Sequence, residues 1–211
     1  VKHFIFASSG SVYGVKKEKN VTENLSLVPI STYNKTKMIA ENVLMSYKNK
    51  IKIHIIRPAT VCGISPRMRF DVSVNLLTMH AVKKKKIIVL GGSQVRPNIH
   101  IKDMVRVYTH FLKKKKLPCG AYNAGFENLS IKSIANKIKE KTKSKILIKK
   151  SNDPRSYRQS SSKLIRTGFR PKHTVNDAID ELIKSFKEKK INVNNINFTV
   201  KWMKKLKLNK E

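Results

Sequence analysis

The chain has 211 residues, of which 40% are hydrophobic, enough to build a core and to exclude wholesale disorder. It contains no apolar run approaching the ~18 residues of a membrane span, and its two cysteines, Cys62 and Cys119, make neither a disulfide framework nor a Cys/His zinc spacing, so a reducing, cytoplasmic setting is expected. The formal charge of +33 rests on 37 Lys and only 9 Arg; base readout and bidentate phosphate capture favour arginine, so the charge points to lysine-rich drift ahead of nucleic-acid binding.

Taken in order, residues 2–8 form a short apolar run that reads as a buried strand, ending in the small-residue loop S-S-G-S-V-Y-G at 8–14. A polar loop over 16–30 leads to a helix with Ser31 or Thr32 as N-cap and Met38, Ile39, Val43 and Leu44 as its apolar stripe, running to about Tyr47. Residues 51–57 read as the next parallel strand, stopped by Pro58, and 71–82 as a helix closed by lysines 83–86. Short extended pieces follow at 87–90 and 99–101, then a helix over 102–112 ending in lysines 113–116. Strands at 121–123 and 146–148 flank a helix over 130–141 capped by Ser130. A short helix at 161–167 precedes a last clear one, capped by Thr174 and carrying Val175, Ala178, Ile179, Leu182, Ile183 and Phe186 on one face.

Tyr33 and Lys37 are four apart on the first helix, so both side chains leave the same face. An ammonium beside a phenol favours the phenolate and lowers a pKa that is normally about 10, which suits Tyr33 as a base and Lys37 as its tuner. A serine loop at a strand's carboxyl end, where ligand sites of open α/β sheets cluster, precedes this pair by about two dozen residues. With R-P-A-T-V-C-G at 57–63, S-P-R-M-R-F-D at 65–71, R-P-N-I-H-I-K-D at 96–103, A-Y-N-A-G at 121–125 and D-P-R-S-Y-R at 153–158, the chain resembles the extended short-chain dehydrogenases/reductases. Within them it is similar to the NAD-dependent nucleotide-sugar epimerases and dehydratases of the UDP-glucose 4-epimerase type.

The resemblance implies a Rossmann-like α/β fold with NAD as cofactor and a nucleotide-diphosphate sugar as substrate. It implies Ser9, Tyr33 and Lys37 as catalytic residues, and Ser8, Tyr33, Lys37, Pro58 and Thr60 around the cofactor. It implies Ser9, Ser11, Asn75, Arg96, Arg155 and Arg158 around the substrate, and a homodimer for the full-length enzyme. Related dehydratases carry Asp-Glu after the serine, whereas this chain has Gly10 and Ser11, which leans toward epimerisation or plain oxidation and reduction. No glycine-rich dinucleotide loop occurs, so the chain is expected to be the later two-thirds of an enzyme, silent by itself, with Phe4, Phe6, Ile53 and Ile55 incompletely covered. Residues 1–63 would be the later half of the dinucleotide-binding domain and 64–190 a mixed substrate-binding region, with 97–125 returning to the Rossmann sheet. Residues 191–211 would be a basic tail. The alternatives are a nucleotide-sugar reductase or dehydrogenase of the same family, or a non-catalytic RNA-binding module on this fold.

Overall fold

The computed structural model describes residues 1–114, 116–151 and 156–206. In chain order the first elements are β1 (His3–Ala7), a 3-10 turn (Gly10–Tyr13), α1 (Thr32–Ser46), β2 (Lys52–Pro58) and β3 (Thr60–Cys62). They continue with α2 (Ser73–Lys84), β4 (Lys86–Leu90), β5 (Val95–His100), α3 (Ile101–Lys113), β6 (Gly120–Ala124) and β7 (Glu127–Ser130). The last are α4 (Ile131–Thr142), β8 (Lys145–Lys149), α5 (Ser162–Arg166), α6 (Val175–Lys187), a 3-10 turn (Asn195–Asn197) and α7 (Thr199–Lys205). Among the described residues no helix is long and apolar enough to cross a membrane. The residues divide into two compact units.

The first unit comprises residues 1–61, 94–129 and the described part of 153–172. Its main sheet runs β1-β2-β6, all parallel, with Ile5 opposite His54 and Ile56 opposite Tyr122. The central strand β2 carries Ile53, Ile55 and Ile56 and is buried along most of its length, as suits a parallel strand with neighbours on both edges. That is why Ile53 and Ile55 are buried, against expectation, while Phe4 on the edge strand is 41% exposed. A second sheet runs β3-β5-β7. The 3.6-residue period of Met104, Val107 and Phe111 on α3 brings that helix onto Ile56, Ile99, Tyr122 and Leu164 in one core.

The second unit comprises residues 62–93, 130–151 and the described part of 173–211. The parallel pair β4-β8 is packed by α2 and α4, and α6 packs on α2. Thr174 and Asp177 close a reciprocal capping box at the start of α6, whose Leu182 joins Met68, Phe70, Met79 and Ile191 in the core. The asparagine-rich start of the tail folds back here: the Phe70 N–H donates to the Asn197 carbonyl at 2.8 Å, and Asn197 Nδ2 donates to the Met68 carbonyl at 3.1 Å.

Candidate active site

Tyr33 and Lys37 lie on the first turns of α1, whose start is set by Ser31: its Oγ accepts from the Asn34 N–H at 3.2 Å. Lys37 Nζ donates to the Ala7 carbonyl at the end of β1 at 2.8 Å. It lies 4.9 Å from the ring centroid of Phe6 and 5.7 Å from that of Tyr33. An ammonium carries three protons, so this bond leaves Lys37 donors for a ligand. Tyr33 is 56% exposed, open to whatever occupies the site.

The serine loop turns sharply after β1 because Ser9 caps the 3-10 turn, its Oγ accepting from the Ser11 N–H at 3.2 Å. Ser9 Oγ lies 2.7 Å from Ser11 Oγ, and Ser11 Oγ donates to Asn34 Oδ1 at 2.7 Å, which ties the loop to α1 one residue after Tyr33. Gly10 is required by close approach: a Cβ there would stand 2.9 Å from Gln159 Oε1 and 3.0 Å from the Pro58 carbonyl. A side chain at that position would crowd both groups. Gly14 ends the turn at φ +71°, with the Val28 carbonyl where a Cβ would sit.

Beneath the loop runs a buried polar brace. Ser8 Oγ donates to Glu41 Oε1, and Glu41 on α1 pairs with Arg57 at the end of β2, with Nη2 to Oε2 at 2.6 Å and Nε to Oε1 at 3.1 Å. Arg57 Nη1 donates to Tyr13 Oη at 2.8 Å, and Tyr13 Oη donates to Asn123 Oδ1 on β6 at 2.8 Å. Glu23 Oε1 accepts from the Asn123 N–H at 2.8 Å. Burial pushes the Tyr13 phenol up to about 12 although Arg57 opposes it, so Tyr13 holds its proton and acts as a hydrogen-bond relay. Burial disfavours the charged Arg57, but its bonds to Glu41 and Tyr13 outweigh that and raise its pKa.

The remaining candidates divide between the units. Ser8 is buried, with its hydroxyl committed to Glu41. Pro58 and Thr60 end β2 and open β3, both partly exposed. Arg96 on β5 is partly buried, its Nη1 donating to the Val95 carbonyl at 3.3 Å. Arg158 is exposed and its carbonyl accepts from the Val21 N–H at 2.7 Å; Arg155 lies outside the described residues. In the second unit Asn75 is buried and holds its own loop: Oδ1 accepts from the Gly63 N–H at 3.0 Å and Nδ2 donates to the Arg69 carbonyl at 3.0 Å.

Reading the sequence missed Glu41, Tyr13, Asn34 and Asn123 as site-building residues. A rare acid inside the apolar stretch M-I-A-E-N-V-L, and a rare arginine closing an apolar strand, were the available signals. The apolar stripe expected on α1 is also corrected. Ile39 and Val43 are exposed, while the buried positions are the polar pair Asn34 and Glu41, two turns apart on one face.

A family model described as the NAD dependent epimerase/dehydratase family matches residues 1–125. The chain belongs to this family. Over 144 residues it is 36% identical to the uncharacterized UDP-glucose epimerase YtcB of Bacillus subtilis, covering 66% of this chain and 45% of that protein. It is 29% identical over 216 residues to the UDP-glucose 4-epimerase of Lactobacillus helveticus, covering 85% of this chain and 62% of that one. Among solved structures, the UDP-glucuronic acid 4-epimerase of Bacillus cereus, in complex with UDP-glucuronic acid and NAD, superposes with a TM-score of 0.77 at 28% identity. That match covers 89% of this chain and 62% of that one. The chain therefore spans about half to two-thirds the length of these relatives. The Rossmann-like α/β class and the family expected from the motifs are borne out.

Proposed function

We propose that the protein is a cytoplasmic, NAD-dependent nucleotide-sugar epimerase acting through Ser9, Tyr33 and Lys37. The observation that carries this reading is the pairing of Tyr33 with Lys37 on α1, the ammonium anchored to the end of β1 beside the serine loop. Tyr33 takes the proton of a sugar hydroxyl that Ser9 orients, and returns it when the carbonyl is reduced. NAD, when bound, supplies the acceptor and donor of hydride. Lys37 holds the ribose with its remaining ammonium protons. Pro58 and Thr60 line the nicotinamide end with the backbone of Ser8, whose hydroxyl serves the brace below.

The diphosphate would be met by Arg96, Arg155 and Arg158, whose planar guanidinium groups match phosphate oxygens. Ser11 acts through Ser9, and Asn75 by holding the 63–69 loop. Gly10 and Ser11 stand where related dehydratases carry Asp-Glu, and a Cβ at Gly10 would crowd Gln159 Oε1 and the Pro58 carbonyl, which supports epimerisation. A homodimer belongs to the same reading, because α1 keeps Ile39, Val43 and Tyr47 exposed at successive turns.

The test is incubation of the full-length enzyme with UDP-, GDP- or dTDP-sugars at catalytic NAD, with products resolved by chromatography. Many turnovers to an epimer support the reading, whereas conversion that stops with the supplied cofactor identifies a reductase or dehydrogenase instead. Tyr33→Phe should lower turnover at least about a hundredfold while sugar-nucleotide binding persists. Retained turnover would remove Tyr33 from its role.

A further inference from the structure

The helix α7 is fixed to the second unit at its start. The Val200 N–H donates to Asp71 Oδ2 at 3.2 Å, and the Phe198 ring centroid lies 6.4 Å from that of Phe70. One turn on, Trp202 is half-buried. Held this way, the helix turns Val200, Met203 and Leu206 outward, and they stand 58%, 52% and 48% exposed. Residues three apart share a helix face, so these three make one apolar stripe. Lys201 and Lys205, four apart, take the opposite face, and Lys204 flanks Val200; all three are exposed. Residues 189–210 hold seven lysines and no acid, so no neighbour in sequence neutralises them. Lys201, Lys205, Asn195 and Trp202 line an open cavity of about 300 Å³, which sets two ammonium groups beside the indole.

A polyanion such as RNA would meet the lysines but leave the stripe in water. A second copy of the chain would cover the stripe but set like charges together. An anionic bilayer surface satisfies both, since acyl chains and phosphates lie side by side at its interface. We propose that α7 docks on the surface of an anionic lipid bilayer. Val200, Met203 and Leu206 enter the acyl boundary, and Lys201, Lys204 and Lys205 meet lipid phosphates. With seven residues the helix lies on the bilayer and does not cross it. Trp202 sits at the border of the two faces, where an indole with an apolar body and one N–H to donate is favoured. One short helix gives reversible attachment, so the protein cycles between membrane and solution. None of these residues belongs to the candidate active site, so attachment and catalysis are tested apart.

Vesicle co-sedimentation of the full-length protein, without NAD or sugar, tests this. Phosphatidylcholine vesicles with about one-third phosphatidylglycerol should be bound at least about tenfold more tightly than pure phosphatidylcholine. Raising salt from about 0.1 to 0.5 M should weaken that binding about tenfold. On binding, Trp202 emission, read as the difference from Trp202→Phe, should shift to shorter wavelength. The double variant Met203→Gln/Leu206→Gln removes the stripe without changing charge. It should bind at least about tenfold more weakly while keeping its thermal midpoint, because both side chains are exposed. Lys201→Gln/Lys205→Gln should take away most of the preference for anionic vesicles. Vesicle binding unchanged in Met203→Gln/Leu206→Gln would reduce it to the general attraction of a basic protein and overturn the proposal. Retention on single-stranded RNA with no vesicle binding would assign the lysines to nucleic acid. A dimer that dissociates in the stripe variant, again with no vesicle binding, would assign the stripe to a second copy. Either result overturns the membrane reading.

Discussion

The two units solve the problem of a buried interior in different ways. Among the described residues, eleven of the buried polar side chains lie in the unit that carries Tyr33 and four in the other, and Glu41, Arg57 and Asp103, the charged ones, all lie in the first. In the second unit the polar groups fasten backbone: Thr78 Oγ1 donates to the Val74 carbonyl one turn back, and Ser144 Oγ donates to the Ala81 carbonyl. In the first they join side chain to side chain across the chain, from Ser8 through Glu41, Arg57 and Tyr13 to Asn123. A desolvated ion pair contributes little net stability compared with apolar packing, but it has one geometry. The difference teaches that the first interior is organised to hold a helix, a loop and two strand ends in fixed relation, and the second to bury area.

The largest expected effect breaks the brace. Glu41→Ala leaves Arg57 buried without its carboxylate and should cost about 3–5 kcal/mol in urea unfolding. The double variant Glu41→Leu/Arg57→Met should recover much of that stability and little of the activity. Recovery of both would show the pair to be packing alone. In the second unit, Leu182→Ala removes a fully buried side chain and should cost about 2–4 kcal/mol through lost burial and a cavity.

Acid should distinguish the units next. Burial holds His54 and His110 in the first unit below their usual 6.5, and His80 in the second likewise. As pH falls, the unfolded chain takes up these protons first, so stability is whole above about 6.5 and is lost progressively below it. The urea midpoint should therefore fall between pH 8 and pH 5.5, and His54→Leu should flatten part of that slope. The smallest effect is a gain. Lys85 and Lys143 end α2 and α4 in the left-handed region, at φ 53° and 56°, and replacing either with Gly should raise stability by about 0.5–1 kcal/mol, a shift of about 1–4 °C in Tm.

Much of the fold was legible in sequence in both units because its signals are local. The apolar run 51–57 became β2 with the predicted extent to within a residue, and Ser31, Ser130 and Thr174 cap the helices they were expected to cap. A cap needs only its own side chain and an N–H three residues on, so its signature sits in four consecutive residues. β3 and β7 were not read, since three- and four-residue strands such as T-V-C and E-N-L-S owe their extended form to the partner strand β5 between them. The fold of the tail is not legible in sequence for a related reason. Its asparagines make a turn against Met68 and Phe70, residues far removed in sequence.

By itself, then, the sequence determined the order of the longer strands and helices, the Tyr33–Lys37 pair on one helix face and the serine loop at the end of β1, because each depends on spacing along a regular backbone. Only the tertiary structure decided which side of α1 is inside. The hydrophobic pattern of that helix pointed to Ile39 and Val43, yet Asn34 and Glu41 are buried, since the surface they meet offers a serine hydroxyl and a guanidinium. A polar residue can go inside when its partner is already there, and that partner lies 16 to 33 residues away along the chain. No periodicity along α1 carries that information.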